Sequence, residues 1–74
     1  MGDAGQRGDA VTIWVAYEEL HDAESLHVSF EGAKAWAEGA AGRQLQWAWD
    51  RYTERWEAYT PRLRFQLRET LVHP

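Results

Sequence analysis

Apolar and polar residues alternate along positions 11–17, and this alternation predicts a first β-strand. Val11, Ile13, Val15 and Tyr17 fall on one face, whereas Trp14 lies on the other. Valine, isoleucine and aromatic residues are also enriched in strands. The stretch that follows, over residues 18–24, is polar enough to form a surface turn.

The pattern after this turn predicts a second strand with one apolar and one polar face. Its apolar set is Leu26, Val28 and Phe30, and serine or histidine occupies the positions between them. A hairpin with a single apolar face is marginal in water on its own. Another element must therefore cover it.

The alanine-rich stretch over residues 31–42 predicts the helix that supplies this cover. Ala33, Trp36 and Ala37 recur at helical spacing, and small alanines let a helix approach a sheet closely. Trp36 is the one large side chain of this stripe. Gly42 provides the stop, because glycine tolerates the left-handed conformation that ends helices.

The alternation also predicts which face of the sheet the helix covers. We expect the helix to lie over Ile13 and Val28, which would leave Trp14 on the bare face opposite. Tryptophan, tyrosine and arginine dominate the energetics of protein interfaces, so a bare tryptophan is a candidate interaction residue.

Residues 44–59 have two interpretations. Positions 45–49 and 55–59 alternate like two strands joined by a turn at 50–54, although this turn has no glycine or asparagine. Alternatively, apolar residues at spacings of four and three predict one amphipathic helix that ends before Pro61.

The last part of the chain predicts a strand with one apolar and one basic face. Leu63, Phe65 and Leu67 alternate with arginines, and β-favouring residues continue to position 72. Pro61 precedes the strand, where it removes no hydrogen bond that the sheet needs.

Short segments spread over residues 11–72 resemble a known group of proteins. The opening strand, the alanine-rich helix and the segments Leu45-Gln-Trp47, Trp56-Glu-Ala58 and Phe65-Gln-Leu67 resemble small β-β-α domains of actinobacteria and their phages. The resemblance favours strands over residues 44–59. It implies an α+β fold of order ββαβββ, with ββααβ as the alternative, and it transfers no functional residue.

Length and composition limit the class of protein. Seventy-four residues form one domain, which we place at 11–74, after a glycine-rich tail at 1–10 that we expect to be disordered. The sequence has no cysteine, which excludes disulfides, thiolate zinc sites and a catalytic cysteine. It has neither a run of about 20 apolar residues nor a signal peptide, so we expect a cytoplasmic protein with no membrane association.

Candidate chemistry is sparse. His21 and His27 lie among carboxylates in and around the first turn, but their spacing matches no standard metal motif, and a solvated turn explains them better. Paired carboxylates need a cleft to act as acid and base, and so small a chain offers little room for one. We therefore expect no enzyme activity, no metal and no cofactor.

The sequence favours a protein–protein interaction module, with a protein partner or self-association. The resemblance adds a role as an accessory or regulatory protein of a phage or mobile element. The alternative is a nucleic-acid-binding accessory protein that uses the arginine face, although the net charge of −4 counts against it. The candidate interaction residues are Trp14, Trp47, Trp56, Arg62, Arg64 and Arg68.

Overall fold

The computed structural model describes residues 10–73, and their elements follow the order ββαβββ. These elements are β1 (Val11–Glu18), β2 (Ala23–His27), α1 (Phe30–Ala41), β3 (Ala48–Asp50), β4 (Arg55–Tyr59) and β5 (Arg64–Val72). The predicted α+β class and element order are confirmed. The predicted tail lies outside the described residues except for Ala10.

The five strands form one antiparallel sheet of order β2-β1-β5-β4-β3. The first and last strands of the chain lie side by side at its centre. Val11 pairs with Val72 at one end of this central pair, and Glu18 pairs with Phe65 at the other. The short strands β2 and β3 form the two edges.

The strand interpretation of residues 44–59 is correct. The turn between the two strands contains no glycine, and an aspartate and a residue with positive φ take its place. The Asp50 carboxylate accepts hydrogen bonds from the backbone N–H groups of Tyr52 (2.9 Å) and Thr53 (3.3 Å). Glu54 takes the left-handed conformation, with φ 57°, that glycine usually supplies. An aspartate that mimics a backbone turn therefore replaces the expected turn residues.

The helix begins earlier than the sequence predicts. Ser29 caps it, because its hydroxyl accepts the N–H of Gly32 at 3.0 Å, and Phe30 becomes the first helical residue rather than the last residue of β2. Gly42 ends the helix with φ 73°, as predicted. Trp36 packs against the sheet, also as predicted.

The helix covers the opposite face of the sheet from the one expected. Ala16, Ala33 and Leu67 form the fully buried centre of the core, and Trp14 packs against it. The Trp14 ring meets the Phe30 ring edge-on, with the centroids 5.2 Å apart. The assignment of Trp14 to the bare face is therefore wrong.

Size and hydrogen bonding explain the inverted face. Ala16 is fully buried and small enough for the helix to approach the middle of β1 closely. Glu18 lies on the same face and is only 3% exposed, because its carboxylate accepts N–H groups of the turn that follows. A polar residue whose acceptors are satisfied can be buried at modest cost.

The helix covers only part of its face. Its 12 residues span about 18 Å, whereas the nine residues of β5 span about 30 Å. Leu67 lies under the helix and is fully buried, but Leu71, four residues further on the same face, is 59% exposed. The end of the β1–β5 pair therefore extends beyond the helix.

Candidate interaction surface

Five aliphatic side chains form what we call the apolar patch, on the face of the sheet that the helix leaves bare. They are contributed by the start of β1, by β2 and the residue after it, and by the end of β5. Four of these side chains are between 49% and 84% exposed, and the fifth is half-buried. The members of the apolar patch are Val11, Ile13, Leu26, Val28 and Val72.

The strand pairing brings these residues together. Val11 pairs with Val72, Ile13 pairs with Thr70, and Leu26 pairs with Val15. Partners in an antiparallel pair point to the same face, so the patch is continuous across three strands. Between Ile13, Leu26, Val28, Thr70 and Val72 lies a shallow depression of about 460 Å³.

Val15 shows how tightly the middle of this face is packed. It lies on the bare side, yet it is only 5% exposed. Its partners in register are Leu26 on one side and Arg68 on the other. The larger side chains of its neighbours therefore shield it, while Leu26 itself remains 64% exposed.

Charged residues of both signs flank β1 on this face. Glu24 on β2 and Gln66 on β5 are both in register with Tyr17. Arg68, two residues from Gln66, lies on the same face. The acid thus lies on one side of β1 and the base on the other.

A second charged group lies further along the same face. Arg64 stacks over the Tyr59 ring, with its Cζ 5.1 Å from the centroid, and its Nε lies 3.6 Å from a Glu19 oxygen. Tyr59 donates a hydrogen bond to Glu57 at 2.8 Å, which raises the pKa of the tyrosine. Arg55 donates to Gln66 at 2.7 Å.

The three tryptophans predicted to mediate binding lie on the helix side of the sheet. Trp14, Trp47 and Trp56 all pack against the core. The centroid of the Trp56 ring lies 5.6 Å from that of Phe30 and 5.4 Å from that of Trp49. These tryptophans contact the core on the helix side of the sheet and form no part of the apolar patch.

Hydrogen bonds to Glu38 fix the position of Trp47 and account for the short β3. One Glu38 oxygen accepts the backbone N–H of Leu45 at 3.0 Å and the indole N–H of Trp47 at 3.1 Å. The Leu45 N–H holds the pKa of Glu38 below its ordinary value, helped by the indole and opposed by burial. These bonds tie residues 45–47 to the helix, so β3 begins at Ala48 rather than at position 45.

The predicted arginine face is divided between elements. Arg64 and Arg68 share the bare face of β5, whereas Arg62 is exposed in the turn before it. The Arg62 N–H donates to the Thr60 hydroxyl at 3.2 Å, which fixes the backbone of this turn. The structure therefore places two of the three arginines on one face, four residues apart along β5.

The histidines also separate. His21 contacts Glu18, whose pKa burial acts to raise, but the hydrogen bonds from His21 and from the turn backbone prevail and lower it. His27 lies on the helix side, where its ring centroid is 6.4 Å from that of Trp36 and its Nε2 is buried without a partner. Nowhere in residues 10–73 do three histidine or acidic side chains converge to hold a metal ion.

Sequence reasoning found the residues of the apolar patch but misplaced them. The alternation of Val11, Ile13, Leu26 and Val28 is the correct signal for one shared face. This face was assigned to the core because its side chains are, taken together, more apolar than those on the face of β1 that carries Thr12. The small size of Ala16 was the signal that could have corrected it.

Fold and surface together define the class of the protein. It is a small α+β protein with an antiparallel sheet, one face of which is packed by a helix and the other left with an exposed aliphatic patch. No protein-family model, no curated protein and no solved structure matches the chain. The resemblance to domains of actinobacteria and their phages stays a prediction.

Among the described residues, α1 is too short to cross a lipid bilayer, and no longer apolar helix is present in that part of the chain.

Proposed function

We propose that the protein is a non-catalytic protein–protein interaction module that docks through the apolar patch. The observation that carries this proposal is the exposure of Val11, Leu26, Val28 and Val72 on one continuous face, on the side opposite the helix. A monomer that exposes a contiguous aliphatic patch usually uses it for binding.

The free energy available from this patch is large enough to matter. Fully burying a valine, leucine or isoleucine side chain contributes about 1.5–3 kcal/mol. All five members are already partly buried, so covering them adds about 1 kcal/mol each, or about 5 kcal/mol in total. This contribution offsets much of the entropic cost of association, which starts at about 4 kcal/mol. We therefore expect binding of moderate strength.

The charges around the patch favour a protein partner over a nucleic acid. A nucleic-acid groove needs arginines that are free to neutralise phosphates. Arg64 is already close to Glu19 and stacked on Tyr59, and Glu24 and Glu57 lie on the same face as Arg68. A face of mixed charge with an aliphatic centre suits the polar rim and apolar middle of a protein interface.

A matched pair of leucines tests the proposal. Leu26 in the apolar patch is 64% exposed, and Leu20, in the turn beyond the end of β1, is 61% exposed. Leu26→Glu places a charge in the patch, and Leu20→Glu makes the same change outside it. Immobilised wild type and each variant are incubated with a lysate of the source cells, and the retained proteins are compared by mass spectrometry.

We expect the wild type and Leu20→Glu to retain the same partner and Leu26→Glu to lose it. Circular dichroism of both variants confirms that each is folded. The proposed function fails if neither the retained proteins nor the molecular mass in solution distinguishes Leu26→Glu from Leu20→Glu.

A further inference from the structure

We infer that a cleft at the other end of the sheet from the apolar patch binds an organic carboxylate with an aliphatic body. Three segments that are distant in sequence meet there, namely the turn between β1 and β2, the carboxyl end of α1 and the turn between β4 and β5. They enclose about 460 Å³, a volume typical of small-molecule sites. The residues that line this turn cleft include Leu20, His21, Ala41, Arg43, Arg62 and Leu63.

Hydrogen bonds hold the backbone of all three segments in place. The Glu18 carboxylate accepts N–H groups of the turn after β1. The Thr60 hydroxyl accepts the N–H of Leu63 at 2.8 Å, and the Glu38 carbonyl accepts the N–H of Arg43 at 3.2 Å. A cleft whose walls are already ordered loses little conformational entropy when a ligand binds.

Two arginines give the turn cleft a positive charge that the fold does not use. Among residues 10–73 the ion pairs involve His21 and Arg64, so the guanidinium groups of Arg43 and Arg62 contact no carboxylate in that part of the chain. The carboxyl end of α1 contributes about half a negative charge, which one arginine more than offsets. Glu18 is 3% exposed and is bonded to the turn backbone. The cleft therefore favours an anion.

The aliphatic part of the lining selects the kind of anion. Leu20 is 61% exposed, and Ala41 and Leu63 are partly exposed beside it. An inorganic anion would leave these side chains in water, whereas a carboxylate on an aliphatic chain would cover them and still reach a guanidinium group. Arginine binds a carboxylate through two parallel hydrogen bonds, which fixes its orientation. Hexanoate combines both features and is the probe of choice.

Titration of the isotope-labelled full chain with hexanoate at pH 7, followed through its backbone amide NMR signals, tests the ligand. We expect a dissociation constant of about 1 mM, with the signals of Leu20, Arg43 and Leu63 among those that move. Acetate lacks the aliphatic chain, hexanamide lacks the charge, and inorganic phosphate lacks the apolar body. Each of the three should bind about fivefold more weakly than hexanoate, or less.

Variants matched in charge test the site. Arg43→Gln and Arg62→Gln should each weaken hexanoate binding about fivefold. Arg51→Gln removes the same charge from the turn between β3 and β4, where the arginine stacks over Tyr52, and should leave binding unchanged. Melting curves establish that each variant is folded.

The two leucine variants separate the turn cleft from the apolar patch. Leu20→Glu places a carboxylate beside the arginines and should abolish hexanoate binding, whereas Leu26→Glu should leave it unchanged. The proposed function predicts the reverse for the captured partner, so either proposal can fail while the other stands.

A second probe distinguishes two sources of the same chemistry. A free organic acid and the carboxyl end of a peptide both present a carboxylate on an apolar body. Binding of N-acetylglycylleucine that is tighter than that of hexanoate assigns the turn cleft to the end of a peptide, and the opposite order assigns it to a free acid.

Three results would overturn the inference. Hexanamide or phosphate that binds as tightly as hexanoate excludes an aliphatic carboxylate as the ligand. Equal affinities of Arg43→Gln, Arg62→Gln and Arg51→Gln for hexanoate show that the two arginines do not hold it. Amide signals that move only around Leu26 and Val28 place hexanoate on the apolar patch instead.

Discussion

Replacement of Leu67 by alanine tests where the helix ends on the sheet. Leu67 is fully buried between Ala16 and Trp56, its partners in register on β1 and β4. Leucine-to-alanine changes at such sites cost about 2.7–5 kcal/mol, because a cavity remains beside the lost contacts. The free energy of unfolding of a domain of this size rarely exceeds about 3–5 kcal/mol. We expect Leu67→Ala to lose about 3 kcal/mol and a large part of its folded population.

Leu71 provides the matched control on the same strand and the same face. Leu71 is 59% exposed because β5 extends beyond the end of the helix. Leu71→Ala therefore removes little buried surface and opens no cavity. We expect a loss below about 1 kcal/mol. For a domain of this size 1 kcal/mol corresponds to about 4–8 °C, so the melting temperature should fall by about 12–24 °C in Leu67→Ala and by less than about 8 °C in Leu71→Ala.

Urea unfolding followed by tryptophan emission, together with thermal unfolding followed by circular dichroism, measures both variants. The chain has five tryptophans, four of which pack against the core, so the emission reports the loss of the core. Equal losses of unfolding free energy in the two variants would show that the helix does not end between Leu67 and Leu71. Our account of the covered and uncovered halves of this face would then be wrong.

Three further predictions concern backbone conformation and charge. Glu54→Gly should raise the unfolding free energy by about 0.5–1 kcal/mol in urea unfolding, because Glu54 has φ 57°, and an unchanged or lower value would contradict this. Gly39→Ala should raise the unfolding free energy by about 0.5–1 kcal/mol, since nothing lies within 4 Å of the added Cβ. Gly32→Ala should gain less, because its Cβ would lie 3.3 Å from the Oγ of Ser29; equal gains in the two variants would refute the crowding. The lowered pKa of Glu18 stabilises the fold above the ordinary glutamate pKa of about 4.3, and this contribution is lost as the pH falls through the folded value. Glu18→Gln should therefore be less stable than the wild type at pH 7, and the difference should narrow in acid; a constant difference from pH 7 to acid would contradict the assignment.

Local signals in the sequence were sufficient to predict most of the elements. The alternation in β1 and β5, the alanine spacing around Trp36 and the stop at Gly42 each depend on neighbours close in sequence. These features depend on periodicity and backbone conformation, which a sequence states directly. Periodicity left the strand pair around Asp50 open between two strands and one helix, and the resemblance to small β-β-α domains favoured the strands.

The choice of covered face could not be predicted in the same way. Both faces of β1 carry apolar residues, and hydrophobicity alone favoured the one with Ile13. The decision depended on the fit between Ala16 and Ala33 and on the hydrogen bonds that satisfy Glu18. Both are contacts between residues distant in sequence or between a side chain and a turn, so no single-strand pattern contains them.

The position of Trp47 could not be predicted from the sequence for a related reason. Its indole bonds to Glu38, nine residues earlier on a different element, and neither residue alone indicates the other. Trp14, Trp47 and Trp56 were chosen as candidate interaction residues for their residue type, and the structure packs all three against the core. Residue type describes what a side chain contributes to binding, but exposure decides whether it can.

The pairing of Val11 with Val72 has a practical consequence for experiments on this protein. Polypeptide attached before the first strand and polypeptide attached after the last one leave the sheet at the same corner, and that corner is the border of the apolar patch. An affinity tag or fluorescent fusion at either end would crowd the surface under study, so cleavable tags are needed on both. The same closeness would let a short linker join the ends into a ring.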